Sequence, residues 1–191
     1  MSLAKNSSFI VRHSTLSAFV AAIVAIVAAG FGFIYSGLYD VSAASGHNPL
    51  VAWALHKTYL QSLHRHAAGI QVPADLMTIA NVEAGARLYK GTCIACHGAP
   101  GQTLSSIGQG ILPLAPELLS ATRRNNPEMM FWVIKNGVKM TAMPAFGKTQ
   151  DDQTIWDLTA FLYRGRGISA QDFEKLSAAK PNPSSKPSQL P

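Results

Sequence analysis

Both cysteines of this 191-residue chain lie in one five-residue stretch, Cys93-Ile94-Ala95-Cys96-His97, which leaves none for a structural disulfide. Two thiols separated by two residues fit a tight turn that presents both sulfurs to the two vinyl groups of a porphyrin. The adjacent histidine is then held under the iron. The motif therefore predicts one haem c, bound covalently through Cys93 and Cys96, with His97 as its proximal ligand.

Two other chemistries use closely spaced cysteines. A thioredoxin-like redox pair requires a preceding strand and a following helix, and it leaves the histidine without a role. A zinc site requires two further ligands, and the sequence has no second cysteine pair. Haem attachment accounts for all three residues of the motif, so we favour it over both alternatives.

A second iron ligand is expected later in the chain, where Met140 and Met143 are the candidates. Met143 precedes Pro144, which biases its backbone toward an extended form and so restricts the direction of the side chain. A thioether is a soft ligand, and Met/His ligation raises the reduction potential of a haem. We therefore favour Met143 as the sixth ligand. Five-coordinate iron, or a second histidine, is the alternative.

Residues 15–39 contain no charged side chain. A helix of roughly 20 apolar residues crosses a bilayer core, whereas the apolar region of a secretory signal has about 7–15. We interpret this segment as a transmembrane anchor, although residues 41–44 resemble a signal cleavage site. Because Lys5 and Arg12 precede the span, the positive-inside rule makes residues 1–14 a cytoplasmic flank. The haem region then lies on the periplasmic side of a bacterial inner membrane, where c-type haem is attached.

Residues 40–77 are predicted to form a juxtamembrane loop and a helix that begins at Pro49 and ends near Ala68. Trp53 and Tyr59 of this helix suit a bilayer interface.

Four of the six histidines lie in the same segment. Their spacing does not bring them together on one helix face around one ion, so solvated or interfacial histidines are the favoured interpretation. The alternative is that one of them, or the neighbouring Arg65, reaches a haem propionate or a partner. The four are His47, His56, His64 and His66.

Residues 78–176 are predicted to form the haem domain, and residues 177–191, which are rich in proline and serine, a disordered tail. Apolar residues at three-to-four spacing and cap residues predict an all-α domain. The predicted helices cover residues 78–93, 116–121, 127–136 and 151–164.

The formal charge of +6 does not indicate nucleic-acid binding. Residues 81–176 carry ten Lys/Arg against eight Asp/Glu, a net of +2 that two haem propionates would cancel. Lys135, Lys139 and Lys148 bracket the Met143 loop, where they would either steer an acidic partner or remain solvated.

Residues 78–168 resemble class I c-type cytochromes. The resemblance rests on Gly85 and Tyr89 ahead of the Cys93–His97 motif, on Met143-Pro144, and on a terminal helix with aromatic residues. It implies a cytochrome c fold wrapped around the haem, with His97 and Met143 as axial ligands. It also implies that the first and last helices cross where Gly85 and Tyr89 meet Leu158 and Phe161. A proline carbonyl orients the proximal histidine in that family, and Pro113 is our candidate for it.

The N-terminal half resembles bacterial membrane-anchored monohaem cytochromes that accompany periplasmic dehydrogenases or respiratory complexes. The expected function is single-electron transfer rather than catalysis, with a redox protein or a membrane oxidoreductase complex as partner. One alternative is a haem-based gas sensor or catalytic haem protein with a labile sixth ligand. Another is a structural subunit of a membrane complex.

Overall fold

The computed structural model describes residues 4–179, with side chains from residue 15 onwards. It divides into two units, Met1–Ser45 and Gly46–Pro191. The side chains of the expected cytoplasmic flank, and residues 180–191 of the expected tail, lie outside the described part. Residues 4–179 contain helices and no strand, which confirms the all-α fold class.

The first unit is built on one helix, α1 (Ala4–Tyr35). Its segment Thr15–Tyr35 is long and apolar enough to cross a membrane. The helix ends four residues before the expected end of the span. The Ser36 hydroxyl donates to the Phe33 carbonyl at 2.7 Å, and Gly37 follows at φ +68°. A left-handed residue directly after a helix stops it, and glycine adopts that conformation without a Cβ penalty.

The second unit begins with α2 (Pro49–Ala67), which starts where the sequence predicted. The Asn48 side chain caps it by accepting from the Leu50 amide at 3.0 Å. Near the other end, the ring of His66 stacks on Trp132, with ring centres 5.5 Å apart. The C-terminal part of α2 therefore packs against the helix that carries Trp132.

The remaining helices form the haem domain. The segment predicted as one helix over residues 78–93 is α3 (Ile79–Leu88) followed by a π-helical turn (Tyr89–Cys93) and the short α4 (Ile94–His97). Then come α5 (Ser106–Gly110), α6 (Pro127–Asn136), a 3-10 turn (Phe146–Lys148), α7 (Asp152–Arg164) and α8 (Ala170–Ala178).

The core is organised by the crossing of α3 and α7. A Cβ placed on Gly85 would lie 2.6 Å from the carbonyl carbon of Asp157 and 2.8 Å from Cβ of Phe161, so only glycine permits this approach. Four residues later, in the π-helical turn after α3, the Tyr89 ring lies 5.4 Å from that of Phe161, and both side chains are fully buried. Gly85 and Tyr89 therefore meet Phe161 as expected, whereas the backbone that approaches Gly85 belongs to Asp157 and not to the expected Leu158.

One predicted helix is absent. Residues 116–121 form a turn, because the two carbonyls that a helix of this length would use internally, those of Pro116 and Glu117, accept other hydrogen bonds. The Pro116 carbonyl accepts from the His97 ring at 2.8 Å, and the Glu117 carbonyl accepts from the Ser120 amide three residues later at 3.5 Å.

Helix α8 was not predicted. Its cap residue Ser169 accepts from the Asp172 amide at 3.1 Å, and its Phe173 is buried beside the Tyr89 ring, 6.0 Å away. The helix ends at Ala178, two residues into the segment expected to be tail.

Candidate haem site

Cys93 and Cys96 form no disulfide, are partly exposed, and lie on consecutive turns of the helical segment that follows α3. Burial raises the pKa of the Cys93 thiol to about 12, and the neighbouring Cys96 adds to this shift. A redox-active thiol of the thioredoxin type needs a lowered pKa, so the environment of Cys93 does not suit that chemistry. Among the side chains that the structure describes, those of residues 15–179, no three His, Cys, Asp or Glu gather in the way a structural metal site requires.

The turn that carries the cysteines is held at both of its ends. The buried Tyr89 hydroxyl donates to the Gly98 carbonyl at 2.8 Å, across the motif. Gly98 itself has φ +72°, and its amide donates to the Ile94 carbonyl at 3.0 Å. The Ser105 hydroxyl donates to the Ala95 carbonyl from the cap of α5. The backbone of the motif is therefore held by Tyr89, directly after α3, and by Ser105, at the start of α5.

One of the two ring nitrogens of His97 forms a hydrogen bond. Its Nδ1 lies 2.8 Å from the carbonyl oxygen of Pro116. Because a carbonyl only accepts, Nδ1 carries the proton and Nε2 retains its lone pair, as an axial ligand requires. Burial lowers the pKa of His97, the Pro116 carbonyl opposes that shift, and Arg123 adds to it. The imidazole is thus kept in the neutral form that binds iron.

The proline at His97 is not the one expected from the sequence. Pro113 was the candidate for the orienting carbonyl, and the structure places the Pro116 carbonyl at this position instead. Both prolines lie in the loop after the motif, which includes α5, and no local pattern distinguishes one from the other.

Met143 and Met140 occupy contrasting environments on one loop. Met143 is partly buried and packs against the domain core, whereas Met140 is 86% exposed and has φ +59°. The carbonyl of Met143 accepts from the Val138 amide at 3.2 Å, and its own amide donates to the Thr141 hydroxyl at 3.1 Å. These bonds close the loop and turn Met143, rather than Met140, toward the protein.

The glycine that ends α6 also helps to hold the Met143 loop in place. Gly137 has φ +65°, and a Cβ there would lie 2.8 Å from the Met143 carbonyl oxygen and 2.7 Å from the Ala145 nitrogen. The backbone on both sides of Met143-Pro144 therefore packs directly on the end of α6. The sequence predicts a helix that ends at residue 136, directly before this glycine, and does not reveal that the glycine supports the candidate ligand.

The donor set fits a covalently attached haem. Two partly exposed thiols suit thioether bonds, a neutral imidazole with a free Nε2 suits one axial position, and a partly buried thioether suits the other. Cys93 and Met143 pack against the same core cluster. The four histidines of the juxtamembrane segment add no ligand set within the described residues, where His66 is engaged with Trp132.

One of the three lysines expected to steer a partner is already paired. Nζ of Lys135 lies 2.6 Å from a carboxylate oxygen of Asp152 and 5.4 Å from the ring centre of Phe131. Lys139 and Lys148 are exposed and form no salt bridge among the described residues.

Comparison with known proteins agrees with the site. Residues 80–162 match the family model described as cytochrome C oxidase, cbb3-type, subunit III. A search of curated proteins and a search of solved structures gave no significant match. The matched segment runs from α3 to α7 and includes the Cys93–His97 motif and Met143, but it is less than half of the chain. Residues 80–162 are therefore a c-type cytochrome domain, an electron carrier whose family implies covalent haem c, in a chain whose N-terminal apolar helix fits a membrane anchor.

Proposed function

We propose that this chain is a membrane-anchored monohaem cytochrome c that carries single electrons between a dehydrogenase or respiratory complex and an acceptor, as a subunit of a larger complex. The observation that carries the proposal is the arrangement of His97 and Met143. A neutral imidazole is held by the Pro116 carbonyl, and a thioether is turned into the protein by its loop. When bound, a haem supplies the one-electron couple, and the protein supplies its ligands, burial and docking face.

Covalent attachment through Cys93 and Cys96 is part of the proposal. The tight turn between them is fixed by the bonds of Tyr89 and Ser105 to the backbone. Holding the turn in place before attachment presents both sulfurs on one side of the domain.

The match to a model of an oxidase subunit supports a respiratory membrane complex as the partner. We place the haem domain on the periplasmic side, because Lys5 and Arg12 precede the apolar helix in sequence and because haem attachment occurs there. Purification of the full chain in mild detergent tests the complex. A stoichiometric oxidoreductase should accompany it, and a chain that always purifies alone would contradict this part of the proposal.

A sixth ligand that stays bound separates an electron carrier from a gas sensor or a catalytic haem. The oxidised full chain should show the weak far-red absorbance band of methionine–iron ligation. The band should be lost in Met143→Ala and retained in the matched control Met140→Ala, whose side chain is exposed. Rapid binding of carbon monoxide to the reduced, unmodified protein would instead support the sensor or catalyst.

Because Lys135 is paired with Asp152, only Lys139 and Lys148 remain as candidates for steering an acidic partner to the Met143 loop. Charge reversal of Lys139 and Lys148 should slow reduction by an acidic partner and weaken the dependence of the rate on ionic strength. Lys135→Ala is the matched control, since its charge is already offset by Asp152. Rates that do not respond to ionic strength, and that survive the double reversal, would refute steering.

A further inference from the structure

The first turns of α2 carry large apolar side chains that the described part of their own unit leaves uncovered. Leu50 and Leu55 are exposed, and Trp53 is 59% exposed. The other end of the same helix is docked, because Leu63 and Ala67 are buried. The C-terminal half of α2 therefore packs against the domain, whereas its N-terminal half exposes apolar side chains that the described residues of this unit do not cover.

The exposed side chains have a consistent register. Leu50, Trp53, Lys57 and His64 follow one another at helical spacing and share one side of α2, here called the α2 face. The docked residues lie about a quarter turn away around the helix. Tyr59 belongs with the docked side, because its side chain is half-buried; this burial raises its pKa, and Arg123 of the domain opposes the shift. The α2 face thus combines two apolar residues at one end with basic and imidazole groups farther along.

The charge that α2 itself carries is basic. No acidic residue occurs in the sequence between Asp40 and Asp75, whereas Lys57 and Arg65 are both exposed. Neither of these cations forms a salt bridge among the described residues. Glu128 of α6 shares a cavity with His64, at the docked end of the helix. An exposed tryptophan beside leucine, with cations that form no salt bridge, matches the chemistry of an anionic lipid surface, where aromatics occupy the interface and Lys/Arg bind headgroups.

We propose that the α2 face binds the surface of an anionic phospholipid bilayer, with Trp53 at headgroup depth and Lys57 and Arg65 on the lipid phosphates. This inference rests on the membrane anchoring proposed above. Residues 36–48 separate the two helices in sequence, and an extended stretch of that length spans at most about 50 Å. A bilayer that holds α1 is therefore within reach of α2. A docking protein is the other possible occupant, and the test below distinguishes the two.

The full haem-loaded chain in nanodiscs, one chain per disc and without other proteins, provides the test. Because Cys93 and Cys96 are expected to be consumed in thioether bonds, a single introduced cysteine is the only thiol to react. Ala54→Cys places it beside the α2 face, and Gln171→Cys on the exposed side of α8 is the matched control. The measured quantity is the rate of alkylation by iodoacetamide in discs of phosphatidylcholine with or without phosphatidylglycerol.

Alkylation of Ala54→Cys should slow several-fold when phosphatidylglycerol is present, while Gln171→Cys reacts at one rate in both discs. Adding Lys57→Glu and Arg65→Glu should abolish the protection, since each basic residue near an anionic surface is worth about fivefold in binding. Unchanged haem absorbance verifies that these variants are folded.

An alkylation rate of Ala54→Cys that is the same with and without phosphatidylglycerol would overturn the inference, and so would protection that arises only when a co-purified protein is added. In both cases the anchoring would stand, because the chain still elutes with the discs. A chain that does not elute with discs would overturn the anchoring and the inference together.

Discussion

Replacing Gly85 with alanine perturbs the crossing of α3 and α7 on which the domain core depends. The added Cβ would lie 2.6 Å from the carbonyl carbon of Asp157 and 2.8 Å from Cβ of Phe161. Carbon contacts are favourable at about 3.5–4.0 Å, so the two helices must separate by about 1 Å. Overpacking costs about 1–3 kcal/mol, and the upper end applies because backbone atoms cannot rotate away. Alanine is about 1 kcal/mol more favourable than glycine in a helix interior, so the net loss of unfolding free energy is about 2 kcal/mol.

Thermal unfolding of the haem-loaded chain, followed by circular dichroism, measures this loss. For a domain of this size, a loss of about 2 kcal/mol lowers Tm by roughly 8–16 °C. Gly91→Ala is the matched control, because a Cβ at Gly91 has nothing within 4 Å. Its Tm should stay the same or rise slightly. Equal Tm values for the two variants would refute the close crossing as the reason for glycine at position 85.

Three further predictions concern the site and its supports. Tyr89→Phe should cost about 1–2 kcal/mol of unfolding free energy, because the buried Gly98 carbonyl loses its donor; chemical denaturation measures it. Gly137→Ala should weaken the far-red band of Met143 ligation without releasing haem, because the new Cβ displaces the Met143 backbone; absorbance measures it. Burial raises the pKa of Asp157 to about 6 from 3.8, so the folded state favours its protonated form and stability falls as pH rises between these values. Asp157→Asn should therefore raise Tm relative to the parent above pH 6, and this advantage should shrink toward pH 4.

Each of these has a result that would count against it. A Tyr89→Phe variant as stable as the parent would mean that the Gly98 carbonyl finds another donor. An undiminished band in Gly137→Ala would mean that the end of α6 does not position Met143. A Tm difference for Asp157→Asn that stays constant from pH 4 to pH 8 would exclude titration of this carboxyl as its cause.

The parts of the fold that depend on local chemistry were predictable from the sequence. Pro127 at the first position of α6 and the Asp151 cap of α7 both mark helix starts where the structure has them. The approach of α3 to α7 at Gly85 was predicted through a family resemblance, and the position of the Asp157 carbonyl at that crossing explains it physically. Short-range signals were sufficient wherever one helix or one turn decides the geometry.

The parts that depend on long-range hydrogen bonds were not predictable. The Asn125 side chain bonds the carbonyls of Leu118 and Leu162, which fixes the loop that brings Pro116 to His97. No local pattern in the sequence indicates that choice over Pro113.

Helix α8 is a different case, because a local signal existed. Ser169 and Asp172 form the cap pattern that begins a helix. The prediction placed residues 170–176 in the haem domain without a helix and began the tail at residue 177 because of the prolines and serines that follow. Its burial against Tyr89 is a tertiary contact that the pattern alone does not reveal.

The central claim is that one haem is held covalently by Cys93 and Cys96. Intact-mass spectrometry of the full chain, made in a host with c-type haem maturation and extracted with acidic acetone to remove unattached haem, tests it most directly. The mass should exceed that of the polypeptide by one haem. The increment should vanish in Cys93→Ala/Cys96→Ala and persist in Met143→Ala. A parent chain that emerges from extraction at the bare polypeptide mass would contradict the account.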